Sequence, residues 1–140
     1  MNPYIALTRP GNMVLTAIAV IAGAFIAAGT NVSDFQIEIL ICCFCSMMLV
    51  GGGNALNDYN DRETDKENHP ERPIPSGKVS ADSAYTYAQS LLGLGLLILL
   101  LFLENKMPFV VALIGVLLLI AYENGLKAAG ITGNVAVGLM

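Results

Sequence analysis

The sequence predicts an all-α protein that crosses a membrane several times, a multi-span transmembrane helical bundle. Three observations predict it. Only 13% of the 140 residues are charged, about half the share usual in a soluble domain. Mean hydropathy is +0.64. Uncharged apolar runs recur between short polar loops, and each is near the roughly 20 residues a helix needs to cross a bilayer core. The net charge of −4 comes with no basic patch that tracks a phosphate backbone, which excludes nucleic acid as a partner.

The first run, 11–32, carries no charge. It is longer than a signal-peptide core and a second run follows, so it reads as a span. Pro10 suits the first turn of a helix, where its missing N–H is harmless. Asn12 is either a cap for that helix or a polar group facing a cavity. The second span, 37–56, ends in Gly51-Gly52-Gly53. These glycines weaken a helix but let a neighbour approach closely. They are not a phosphate loop, since no Gly-Lys-Ser follows. Cys42, Cys43 and Cys45 lie in the same run without C-x-x-C spacing, and read as buried thiols.

A polar loop occupies 57–82. Pro70, Pro73 and Pro75 prevent one continuous helix there. His69 reads as solvated, and Ser80 or Asp82 as the cap of the third span, 83–103. A turn at Glu104-Asn105-Lys106 leads to the fourth span, 108–126. A fifth apolar segment starts at 131 and is too short to span before Met140, so the chain is expected to be the first part of a longer domain. With the N-terminus in the cytoplasm, Arg9, Arg62, Lys66, Arg72, Lys78 and Lys127 fall inside and only Lys106 outside. That bias sets the polar loop on the cytoplasmic side of the cell membrane.

The chemistry concentrates at the end of the second span. Asp58, Asp61 and Asp65 follow i, i+3, i+7 spacing, with Asn54 four residues earlier, which places them on one helical stripe. Carboxylates near bilayer depth are costly and repel one another. A wet cavity and a divalent cation relieve both problems. Oxygen donors of this kind suit Mg²⁺, which takes one or two carboxylates together with substrate phosphates. Arg72 can grip phosphate with two parallel bonds, while Lys78 and Lys127 offer point charges. Such a set stabilises a departing diphosphate. Tyr122 ends the fourth span and has two readings, an interfacial anchor or a ring facing a carbocation. A calcium hand fails, because its sixth position needs Gly and counting from Asp58 gives Glu63.

These residues resemble the UbiA superfamily of intramembrane prenyltransferases. Asn57 to Asp65 fits the first aspartate-rich motif, N-D-x-x-D-x-x-x-D, and Arg72-Pro73-Ile74-Pro75-Ser76-Gly77 fits R-P-[IL]-P-S-G. Arg9-Pro10-Gly11-Asn12 is similar to the R-P-x-N start of the first helix. Tyr122 and Lys127 fit Y-x-x-x-x-K, and Gly133-Asn134 resembles the opening of the fifth helix.

The resemblance implies a UbiA-like bundle of about nine spans, with Mg²⁺ bridging two aspartate-rich motifs to a prenyl diphosphate. It implies Asn57, Asp58, Asp61 and Asp65 as metal-holding residues, with Asp58, Asp61, Tyr122 and Lys127 carrying the chemistry. Asn12, Asn57, Arg72, Lys78 and Asn134 would bind substrate. The second aspartate-rich motif would lie beyond Met140, so this chain alone is expected to be inactive. The spacing Asn68-His69-Pro70-Glu71-Arg72 resembles two branches, one transferring geranylgeranyl from its diphosphate to geranylgeranylglyceryl phosphate, the other chlorophyll synthase. The N-terminal Asn2-Pro3-Tyr4 favours the first, an archaeal-type ether-lipid prenyltransferase. An aromatic quinone precursor or a chlorophyllide is the alternative acceptor. A CDP-alcohol phosphotransferase would need Asp-Gly-x-x-Ala-Arg, which is lacking, and a cation transporter fragment would need acids in mid-span.

Overall fold

A computed structural model describes residues 1–123 and Gly138. Among the described residues there is no β-strand. In order come α1 (Pro3–Thr8), α2 (Pro10–Ala28), a 3-10 segment (Gly29–Phe35), α3 (Gln36–Asn60), α4 (Arg62–Asn68), α5 (Ala81–Phe102) and α6 (Met107–Glu123). The end of the fourth span and the start of the fifth at 131 lie outside the described residues.

The first residues form a short helix of their own. Asn2 accepts from the Tyr4 N–H, Pro3 begins a helix, and Leu7 and Thr8 are buried. Tertiary burial of one face makes this short helix, which isolated propensity would not. Arg9 then separates α1 from α2 in a left-handed conformation at φ 50°. For a side chain with a Cβ this costs about 1–2 kcal/mol. Pro10 opens α2, as its fixed φ suits.

Helix α3 is the centre of the bundle and packs against α1, α2, α5 and α6. The glycine triplet explains how. A Cβ on Gly51 would lie 3.1 Å from Thr8 Cβ on α1, one on Gly52 2.9 Å from Leu92 Cγ on α5, and one on Gly53 3.2 Å from Leu119 Cδ2 on α6. Three consecutive positions point in three directions around a helix, so each admits a different neighbour. On α5, the buried residues Ala84, Ala88, Leu92, Gly95 and Leu99 repeat at helical spacing and form the facing stripe. Small residues on facing helices let backbones approach, the main source of helix association where lipid removes the hydrophobic drive. Ser80 caps α5, its Oγ accepting from the Ser83 N–H at 3.2 Å.

The outer surface is apolar. None of α2 is buried, and Leu15, Ile18, Phe25 and Ile26 are exposed on it. The stretch Pro10–Asn60 and the helix Ala81–Phe102 are long and apolar enough to cross a membrane, and α6 is a shorter apolar helix. A soluble monomer rarely exposes so large an apolar surface. The chain is an all-α membrane protein.

Candidate functional site

The aspartate stripe straddles a helix end. Asp61 leaves helical geometry at φ −84°, ψ 2°, which closes α3. Hydrogen bonds still run from Asp61 N–H to Asn57 O at 2.9 Å and from Asp65 N–H to Asp61 O at 2.8 Å. The turn is therefore nearly helical, and Asp58, Asp61 and Asp65 keep to one side of a bent rod. Asn54 keeps to the face of Asp58, one turn earlier in α3, and meets the same α1–α2 elbow. Its amide donates to the Thr8 carbonyl at 2.9 Å, satisfying a carbonyl that the end of α1 leaves unpaired.

Asp58 and Asp65 are buried at 4% exposure each. Such charges need partners. Arg9 donates to Asp58, and Arg72 Nη1 lies 2.7 Å from Asp65 Oδ2 and 3.6 Å from Asp58 Oδ1. The two arginines come from different segments, one from the α1–α2 elbow and one from the loop after α4. That loop is fixed by its own backbone. Ser76 N–H and Oγ both bond to Arg72 O, and Val79 N–H bonds to Pro73 O. Gly77 takes φ 75° to complete the turn. Outside the site, Lys66 donates to Glu63 at 2.7 Å and holds its carboxyl below the usual range. Arg62 stacks on Tyr59, 4.5 Å from the ring centre.

Arg9, Asn57, Asp61, Thr64, Asp65, Asn68, His69 and Arg72 line a polar cavity of about 580 Å³. Beside it lies a larger apolar cavity of about 860 Å³, walled chiefly by α3 and α6 and reaching Tyr122 and Glu123. Asn57 lines both. Its Nδ2 donates to Asp61 Oδ2 at 3.1 Å and to Glu123 Oε1 at 3.0 Å.

Five expected residues thus gather at the two cavities: Asn57, Asp61, Asp65 and Arg72 at the polar one, and Tyr122, half-buried, at the apolar one. Asp58 stands just behind, holding both arginines. Asn12 and Lys78 are exposed and line neither cavity. Lys127 and Asn134 lie outside the described residues. Arg9 and Glu123 contribute without a role assigned from sequence. His69 is exposed, as its polar loop implies, and also lines the polar cavity.

Among the described residues no three His, Cys, Asp or Glu side chains form a ready-made metal cluster. The donor chemistry nonetheless fits a hard divalent cation. Asn57, Asp61 and Asp65 each bring a side-chain oxygen to the lining of one cavity, and such ions accept a few carboxylates completed by substrate phosphates.

A bundle of apolar helices that sets carboxylates and arginines around a polar cavity, beside an apolar one, defines a membrane protein with a charged site at the ends of its helices. The UbiA prenyltransferase family matches residues 16–140, and the chain belongs to it. It is 34% identical to digeranylgeranylglyceryl phosphate synthase of Methanobrevibacter smithii over 143 aligned residues, covering 100% of this chain and 49% of that protein. It is 38% identical to the protein of the same name from Methanococcoides burtonii, covering 100% of this chain and 51% of that one. A solved structure, described as giving insights into the biosynthesis of digeranylgeranylglyceryl phosphate synthase in membranes, superposes with a TM-score of 0.79 at 31% identity. That match covers 89% of this chain and 43% of the other. The chain spans about half the length of the curated relatives it matches.

Proposed function

We propose that this chain is part of a geranylgeranyl transferase of the digeranylgeranylglyceryl phosphate synthase type, acting on geranylgeranyl diphosphate and geranylgeranylglyceryl phosphate. The observation that carries the reading is the junction at Asn57 between a cavity of arginines and carboxylates and a cavity of aliphatic walls. A prenyl diphosphate has the same two-part chemistry.

In this reading Arg72 and Arg9 bind diphosphate oxygens, with Arg72 positioned to use its bidentate fork. Asn57, Asp61 and Asp65 would hold the divalent ion, for which Mg²⁺ is the natural choice, with Asp58 orienting both arginines. When bound, that ion supplies charge neutralisation on the leaving diphosphate. The allylic C–O bond breaks, the electron pair departs with the diphosphate, and the acceptor hydroxyl attacks the cation and gives its proton to the departed diphosphate. The apolar cavity excludes water, which would otherwise capture the cation. Tyr122 lines the apolar cavity, and in this reading its ring would face that cation. The excess of Lys and Arg in the loops assigned to the inside supports a polar cavity facing the cytoplasm in a multi-pass cell-membrane protein.

The test is transfer by membranes carrying the full-length protein. Geranylgeranyl diphosphate, Mg²⁺ and geranylgeranylglyceryl phosphate are expected to yield the doubly prenylated lipid, and absence of any prenylated product would reject the assignment.

A further inference from the structure

We infer that Glu123 is a positioning residue for the carboxylate motif, acting through Asn57. This rests on the divalent-ion reading above. An amide nitrogen carries two hydrogens. In Asn57 one goes to Asp61 Oδ2 at 3.1 Å and the other to Glu123 Oε1 at 3.0 Å. Both donors are thereby committed to carboxylates, and the carbonyl oxygen is the atom that the side chain presents to a ligand. A hard cation takes that oxygen and is repelled by the N–H₂ end. Turning the amide over would set oxygen against two carboxylates and hydrogens against the ion, so the two contacts select one orientation.

Asp61 sits one turn along the same rod as Asn57 and approaches from one direction only. Glu123 comes from α6, on the far side of the apolar cavity. Its second oxygen accepts from Asn60 Nδ2 at 3.3 Å, so one carboxylate grips two amides of α3. Glu123 therefore fixes both the rotation of Asn57 and the spacing of α3 and α6 where the two cavities meet. The partner of a metal ligand that sets its orientation commonly changes ion affinity about 10–100-fold.

The test uses the full-length protein in detergent with Mn²⁺ and inorganic pyrophosphate, reading bound Mn²⁺ by electron paramagnetic resonance. Glu123→Ala is expected to weaken Mn²⁺ about tenfold or more. Glu123→Gln keeps the shape and one acceptor oxygen, and is expected to weaken it less. On an Asn57→Ala background, Glu123→Ala is expected to add less than about twofold, because the amide it orients is gone. Unchanged Mn²⁺ affinity in Glu123→Ala overturns the inference, as does an undiminished loss on the Asn57→Ala background. If Glu123→Ala does not fold, Glu123→Leu, which keeps the bulk and removes both acceptor oxygens, takes its place in the cycle under the same criteria. Mn²⁺ binding that ignores Asn57→Ala rejects the divalent-ion reading itself and this inference with it, whereas loss in Asn57→Ala without loss in Glu123→Ala rejects the inference alone.

Discussion

Arg72 donates to Asp65 across 2.7 Å, although they sit on opposite sides of the end of α4. The same guanidinium nitrogen lies 3.6 Å from Asp58 Oδ1. Arg72 is thus the hinge pin of the polar cavity, joining the end of α3, the short helix after it and the proline-rich loop.

Replacing Arg72 with Lys keeps the charge and removes the planar fork. Apparent affinity for prenyl diphosphate is expected to fall about tenfold or more, by the roughly 1.5–3 kcal/mol that a charged hydrogen bond contributes. Steady-state kinetics with varied diphosphate check it. An unchanged KM would make Arg72 a structural loop residue only.

Asp58 and Asp61 are expected to separate stability from turnover. Asp58 is buried and paired with Arg9, so Asp58→Ala leaves a guanidinium without its partner. It is expected to lower stability by about 1–3 kcal/mol as well as abolish turnover. Asp61 is half-buried at the cavity wall, so Asp61→Ala is expected to cost about 10²–10³-fold in turnover with little loss of stability. Thermal unfolding in detergent and product formation, measured on both variants, check the contrast. Equal unfolding midpoints for the two would contradict the buried-pair description.

Gly52→Ala is expected to destabilise the bundle by about 1–3 kcal/mol, the range of overpacking. The new methyl would stand 3.0 Å from the Ala88 carbonyl oxygen, which is backbone and cannot rotate away. Gly93 is the control, because nothing lies within 4 Å of a Cβ there. A lower unfolding midpoint for Gly52→Ala than for Gly93→Ala is the expected result, and equality would mean that α3 and α5 separate at little cost.

The helices were legible because lipid demands long apolar runs, and the runs around α2, α3 and α5 have few other uses. The polar cluster was legible because carboxylates at helical spacing beside a membrane span need partners, and Arg9 and Arg72 supply them to Asp58 and Asp65. Three features were not legible, each for its own reason. Helix α1 depends on burying Leu7 and Thr8 against α3, a contact no local pattern encodes. Arg9 reaches Asp58 across 49 positions of sequence, and its left-handed backbone carries no signal in a residue that is not Gly or Asn. Glu123 has a role only once α6 lies beside α3. The nearest sequence sign was an acid placed at the end of an apolar helix, between Tyr122 and Lys127.

The most direct measurement offers two acceptors at once. Membranes carrying the full-length protein receive geranylgeranyl diphosphate and Mg²⁺, with geranylgeranylglyceryl phosphate and 4-hydroxybenzoate in parallel, and products are identified by mass spectrometry with and without EDTA. The predicted result is a doubly prenylated glyceryl phosphate that disappears with EDTA and returns on adding Mg²⁺ back. A prenylated aromatic in its place, or a lipid product indifferent to EDTA, would contradict it.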